Sequence, residues 1–302
     1  MTTLIPMSFK QVTIIGTGLI GGSLGLALKK RRLASRIVGC DRAPVLERAQ
    51  NCGAIDSGTI HPADAVRGSD LVVLATPVIP ILDLIDRLGP ALPAKTLLTD
   101  VGSTKQEVVT HAAKSLGRHA AQRFLAGHPM AGKENAGVEF ADANLFEDAA
   151  WLFTPLPGQD VHAGLCGEFV HCAGKIGAKI AVLDPADHDR FCAWISHLPQ
   201  MISTALAATL VDEFGPDAPV LDIGGRALRE MTRISASPYS MWRDIAITNK
   251  KNISSALHKL EQRLAHIREN LDSKQLAEEF ERAHELRKNL PRRQGEKKSL
   301  NK

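Results

Sequence analysis

The chain has 302 residues, 44% of them hydrophobic and 23% charged, a soluble globular profile with room for about two domains. The net charge of +4 is concentrated in residues 291–302, where five Lys/Arg face one Glu, and 32 basic and 32 acidic residues remain elsewhere. A basic tail is not a polyanion-binding face, so no nucleic-acid partner is expected. Five cysteines (Cys40, Cys52, Cys166, Cys172, Cys192) are odd in number and never spaced C-x-x-C. That argues against a disulfide framework and a zinc site, and for a cytoplasmic protein with reduced thiols. Leu4 and Ile5 run at once into Pro6 and Lys10, too short for an export segment. No apolar run approaches the ~18 residues of a membrane helix, and no membrane partner is expected.

Short apolar runs at 12–15, 37–40, 71–75 and 96–99 alternate with amphipathic stretches such as 24–33 and 79–88. This alternation predicts βαβ units and a parallel sheet covered by helices, with further strands at 123–126, 150–153 and 179–182. The fold class is therefore α/β, with a Rossmann-type dinucleotide-binding domain over 1–183. Beyond Asp184 helical periodicity dominates, and Asp184-Pro-Ala-Asp-His marks a helix start with Pro185 at its first position. Residues 184–290 form an all-helical domain, and 291–302 a basic tail expected to be disordered. Ile253, Leu257, Leu260, Leu264, Ile267 and Leu271 are spaced 4-3-4-3-4, an a/d seam. It fits a helix packed inside its own subunit as well as a dimer interface. After Asp272-Ser273 a charged helix should run to about Leu290.

Gly16-Thr-Gly18-Leu19-Ile20-Gly21 follows a strand and opens a helix. Gly16 permits the tight turn, Gly18 lets the backbone approach a pyrophosphate, and Gly21 lets the helix pack closely on the strand. Asp41 stands 20 residues beyond Gly21, where a carboxylate accepts from both ribose hydroxyls. Its charge favours NAD, while Arg42 beside it keeps NADP open.

Four further stretches carry chemistry. Asp100-Val-Gly-Ser103-Thr-Lys105 follows a strand, so Ser103 can face the reactive end of a cofactor, or cap a helix starting near Thr104. His128, between Gly127 and Pro129 on a strand-end loop, has the pKa range of a general base. Ser196-His197-Leu-Pro199-Gln200 places a proline inside a helical pattern, which implies a kink lining a cleft. Arg233 and Arg243 offer planar forks for a carboxylate; Arg243, flanked by Trp242 and Asp244, suits a structural ion pair better. Asp187-His188-Asp189 is not read as a metal site, because consecutive helix positions point about 100° apart; no metal is expected.

Together these stretches resemble the prephenate/arogenate (cyclohexadienyl) dehydrogenase family of tyrosine biosynthesis. The similarity spans nearly the whole chain, through V-T-I-I-G-T-G-L-I-G-G-S, L-A-T-P, T-D-V-G-S-T-K, G-H-P-M-A-G, S-H-L-P and T-R-I…S-P…M-W-R-D-I. The resemblance implies a nicotinamide-binding domain, then a helical dimerisation domain, with a homodimer formed through the latter. The implied reaction passes hydride from ring C4 of a carboxylate substrate to NAD(P)+ while the ring carboxylate leaves as CO2. By the same resemblance His128 deprotonates the 4-hydroxyl, Ser103 bonds near it, and Arg233 clamps a carboxylate. Glu134 and His197 gate and line the substrate site, and Thr76 and Pro77 of L-A-T-P join the glycine turn at the cofactor. Lys133 after A-G and Gln200 after L-P bear on the keto-acid or amino-acid side chain, so prephenate and arogenate both remain open. With no mutase helix before residue 12 and a short tail after 290, the expectation is a monofunctional chain. Two other classes compete. One is a two-domain β-hydroxy-acid dehydrogenase, whose G-x-x-x-K lysine is replaced here by His171 after Gly167. The other is a non-catalytic NAD-sensing dimer, which would leave Ser103, His128 and Arg233 without a shared purpose.

Overall fold

A computed structural model of the chain describes residues 9–290. The segment 1–8 and the basic tail 291–302, with the expectation of disorder placed on it, lie outside the described residues. The first half alternates strand and helix. β1 (Phe9–Ile15) leads into α1 (Leu19–Lys30), and β2 (Ala34–Cys40) into α2 (Ala43–Asn51). A short β3 (Ser57–Thr59) gives no apolar signal in its sequence and precedes the single-turn α3 (Pro62–Ala65). Next come β4 (Leu71–Leu74), α4 (Val78–Leu88), β5 (Leu97–Asp100), α5 (Gln106–Leu116), α6 (Ala120–Arg123) and β6 (Phe124–Pro129). β7 (Ala150–Thr154), α7 (Gly164–Lys175) and β8 (Lys179–Val182) complete the sheet.

The sheet order is β3-β2-β1-β4-β5-β6-β7-β8. From β1 the chain moves to one side as far as β3 and then returns to β4 on the other. The order therefore reverses between β1 and β4, and ligands of open α/β sheets bind outside such a reversal. Alternate residues feed two cores: Val12, Ile14, Leu71 and Val73 pack on one face with Leu24 and Phe169. Ile15, Val72 and Leu74 pack on the other with Ile81, Ile85 and Val108. The expected all-parallel sheet needs one correction: β7 runs antiparallel to β6, pairing Ala126 with Thr154 and Pro129 with Trp151. Residues 130–149 contain only a 3-10 turn (Val138–Phe140), too little for the helical crossover that a parallel return requires.

The helical half opens with α8 (Pro185–Cys192), whose N-cap Asp184 accepts from the N–H groups of Ala186 and Asp187, as its sequence predicts. A π-turn (Ala193–His197) joins it to α9 (Leu198–Phe214), with Pro199 in the first turn of α9. Proline has no N–H for the preceding turn, and the bulge absorbs that break. α10 (Arg226–Thr232), a 3-10 turn (Arg233–Ala236), α11 (Tyr239–Thr248), α12 (Lys250–Glu269) and α13 (Lys274–Asn289) follow. Secondary structure changes type near residue 184, but compactness breaks between Ile253 and Ser254. Side chains explain the difference. Asp189 of α8 binds the N–H groups of Lys105 and Gln106 at 2.7 and 3.0 Å, and Asp244 of α11 binds that of Ile79 at 3.0 Å. In the second unit Arg263 of α12 pairs with Glu279 of α13 at 2.5 Å, and Leu264 and Leu271 of the seam are exposed. Among the described residues no helix is long and apolar enough to cross a membrane.

Candidate active site

Gly16 stands at the sheet's reversal with φ 94°, and a Cβ there would meet the Ala75 carbonyl oxygen at 2.5 Å. A Cβ on Gly21 would fall 2.0 Å from the Gly16 oxygen, so α1 can sit this close to β1 only with glycine. Gly18 differs: a Cβ there would meet nothing within 4 Å. The open space borders the N-terminus of α1, where Leu19 and Ile20 begin the helix and no side chain caps its N–H groups. Uncapped N–H groups beside open space suit a phosphate. The Asp41 carboxylate accepts from Thr17 N–H and Arg42 N–H, both at 2.8 Å. Asp41, Arg42, Gly16 and Thr76 line one cleft of about 590 Å³, and Pro77 caps α4 at its edge.

Ser103 lies on the loop after β5, half-buried. The expectation that it caps a helix near Thr104 is corrected: α5 begins at Gln106. Its first N–H groups are instead capped by Asp189, 83 positions from Gln106. The same loop is fastened to β6 by Lys105, which is wholly buried. Its ammonium contacts the Asp100 carboxylate and donates to Gly127 O at 2.9 Å. Burial pulls the Lys105 ammonium below the usual lysine range, and Asp100 beside it works against that pull.

His128, on β6 next to Gly127, is 8% exposed. Its Nδ1 lies 2.9 Å from Nε2 of His188, whose Nδ1 lies 2.8 Å from Asp189 Oδ1. Burial, followed by the charges of His188, Lys105 and His197, holds His128 well below the usual histidine range. It is therefore neutral near pH 7 and able to accept a proton. Cys192 Sγ sits 3.5 Å from His188 Nε2, and burial pushes its thiol up to about 12. His128, His188 and Cys192 are the one group among the described residues whose donor atoms could meet a metal. The 2.9 Å gap is that of a hydrogen bond, and Lys105 adds positive charge nearby, so a shared proton matches the site better than a dication.

His197, on the π-turn, is also buried. Its Nδ1 is 3.2 Å from the Asn249 amide nitrogen, which also donates to Asp189 O at 2.7 Å. Its Nε2 has no partner among the described residues, nor has Trp242 Nε1, whose ring packs edge-on against His197. Two unpaired donors in one place await an acceptor. Gln200 is 4% exposed and donates to Ile234 O at 2.9 Å, so its amide nitrogen holds the turn that carries Arg233. Arg233 reaches the loop beyond His128 and pairs with Glu134 at 2.5 Å, both half exposed. Lys133 turns elsewhere, donating to Phe140 O at 2.9 Å. Arg243 binds Asp244 through Nε and Nη2 at 2.9 and 2.8 Å, the ion pair its sequence context suggests.

Sequence reasoning therefore missed His188 and Asp189 as neighbours of His128, and Asn249 as the link to His197. The D-H-D run was visible, yet only the fold brings residue 188 against residue 128.

A doubly wound sheet with an open glycine turn, an acid just after β2 and a buried histidine at the C-terminal end of β6 defines a dinucleotide-binding dehydrogenase. Residues 24–176 match the family described as prephenate dehydrogenase, nucleotide-binding domain, and residues 184–286 its dimerization domain. The chain belongs to the prephenate dehydrogenase family. It is 34% identical over 245 residues to the prephenate dehydrogenase of Lactococcus lactis, covering 80% of this chain and 65% of that protein. It is 32% identical over 288 residues to that of Bacillus subtilis, covering 94% and 76%. The solved prephenate dehydrogenase of Aquifex aeolicus, in complex with hydroxyphenyl propionate and NAD+, matches with a TM-score of 0.83 at 30% identity. That match covers 92% of this chain and 97% of the other.

Proposed function

We propose that the chain catalyses NAD+-dependent oxidative decarboxylation of a cyclohexadienyl acid, prephenate or arogenate, to 4-hydroxyphenylpyruvate or tyrosine. One observation carries this reading. His128 is buried and neutral, its Nδ1 is engaged by His188, and its Nε2 has no partner among the described residues. A base so placed takes the proton of a substrate hydroxyl. Gly18, the uncapped start of α1 and Asp41 fit NAD+, which supplies the hydride acceptor when bound. Leu19, Ile20, Thr76 and Pro77 complete its bed. The Asp41 charge opposes a 2′-phosphate, which favours NAD over NADP.

The remaining work belongs to the chain itself. Arg233 exchanges its half-exposed partner Glu134 for a substrate carboxylate, so Glu134 acts as a gate. His197 Nε2 offers a donor to the substrate, and Ser103 lines the approach to His128. Gln200 acts on the site through Arg233, and Lys133 borders it. Aromatisation of the ring provides much of the driving force, so positioning and one proton transfer suffice.

The active form is a homodimer through the helical half. α9 is apolar around most of its circumference, yet only Leu198, Gln200 and Ser203 of its 17 residues are buried. Among the described residues, the exposed large apolar side chains other than Ile60, Ile79, Phe140 and Val182 all lie beyond residue 190. Light scattering at micromolar concentration checks this, and a monomer would overturn it. Absorbance at 340 nm with NAD+ should rise on adding prephenate or arogenate, and the faster substrate names the preference. No turnover with either would overturn the proposed function.

A further inference from the structure

We infer that His188, held by Asp189, is a positioning residue that sets the proton order of His128; this rests on the proposed role of His128 as base. The argument begins at Asp189. Its oxygens face donors: Oδ1 meets Lys105 N–H at 2.7 Å and His188 Nδ1 at 2.8 Å, and Oδ2 meets Gln106 N–H at 3.0 Å. A carboxylate only accepts, so His188 Nδ1 carries its proton. A neutral imidazole has a single N–H, which leaves His188 Nε2 as a lone pair. That lone pair, 2.9 Å from His128 Nδ1, must accept from it. His128 then holds its proton on Nδ1 and presents Nε2 bare. No other order of protons satisfies both short contacts with two neutral rings.

The surroundings keep both rings neutral. Each is held below the usual histidine range, chiefly by burial, and the ammonium of Lys105 opposes a second positive charge. Cys192, 3.5 Å from His188 Nε2, keeps its proton. His197 adds to the opposition at His128, while Asp100 and Asp189 act on His188 in the opposite sense without overcoming burial. Asp189 is rigid because it also caps α5, so the whole chain of bonds is anchored on backbone. An unanchored His128 could carry its proton on Nε2, facing the substrate with a donor where an acceptor is needed.

The experiment compares the wild type with His188→Leu and His188→Gln, in steady state with NAD+ and the faster of the two substrates. Leucine offers no acceptor, whereas the glutamine carbonyl can accept from His128 Nδ1. His188→Leu should lower kcat roughly 10- to 100-fold with KM values within about threefold, and His188→Gln should recover much of that loss. Wild-type kcat in His188→Leu, or equal losses in both variants, would overturn the inference. A second readout needs no variant of His188. Long-range proton–nitrogen NMR of histidine-labelled wild type near neutral pH, with the His128 signals assigned by their loss in His128→Asn, should show Nε2 unprotonated. A protonated Nε2 would overturn it. If the wild type itself turns over neither substrate, the proposed function has failed, and the NMR result still decides the proton order.

Discussion

Arg233 Nη1 lies 2.5 Å from Glu134 Oε1, joining the turn after α10 to the loop that follows His128. Both side chains are about half exposed, at 55% and 50%, so the pair is screened and contributes little to stability. It can open at small cost. Arg243 is bound differently. Its partner Asp244 is fully buried and also accepts from Ile79 N–H, tying α11 to the start of α4.

The two arginines should therefore separate cleanly on substitution. Arg233→Ala should raise the substrate KM about ten- to hundred-fold, the worth of a charged hydrogen bond of roughly 1.5–3 kcal/mol. Arg233→Lys should restore only part, because an ammonium lacks the bidentate fork. Arg243→Ala should mainly lower the melting temperature, since it leaves a buried carboxylate without its cation. Paired KM and melting measurements check this, and a reversed pattern would mean the roles are exchanged.

His128→Asn removes the proton acceptor while keeping a polar side chain of similar reach. A fall in kcat of roughly 10²–10⁴ is expected, with NAD+ affinity nearly unchanged because the glycine turn is untouched. Turnover and cofactor titration on the same sample test both halves. Near-normal kcat would remove His128 from the chemistry.

The nucleotide turn was the most legible part of the sequence, because Gly16 and Gly21 each answer a local steric demand that spacing exposes, and Gly18 leaves the open space beside them. Strand positions were legible for a similar reason, since buried strands read as apolar runs. What escaped depended on contacts between distant residues. Nothing in the sequence marks Lys105 as buried, yet the fold packs it against Asp100 and Gly127. Asp189 appears in the sequence only as the end of the D-H-D run, yet it caps α5 from 84 positions beyond Lys105. The direction of β7 was hidden too, because periodicity reports burial and not strand sense.

Cofactor preference rests on Asp41, whose carboxylate is fixed by the N–H groups of Thr17 and Arg42 at the cleft. NAD+ should be used with the higher kcat/KM, and Asp41→Ala should narrow its lead over NADP+. The mechanism is loss of repulsion toward a 2′-phosphate, with Arg42 left to attract it. Initial rates with both cofactors decide it. Preference for NADP+ in the unaltered protein would place Arg42 in control.

Acid should destabilise the fold in a definite window. Burial pushes His197 down to about 4, and it holds His128 and His188 below their ordinary range as well. Above pH ~6.5 these rings are neutral in both folded and unfolded chains, so they add no pH dependence. As pH falls below ~6.5 the unfolded chain takes up protons that the buried rings refuse, and stability drops until the folded pKa is reached. For His197 the window therefore runs from ~6.5 down to about 4. Asp56, Asp86 and Asp142 are held below the usual aspartate value of 3.8, so the stability they contribute is lost mainly beneath that window. Melting temperatures measured from about pH 7.5 to about pH 4.5 should fall for the wild type, and fall less for His197→Gln, which has no proton to take up. Equal slopes for the two proteins would show that His197 does not carry this dependence.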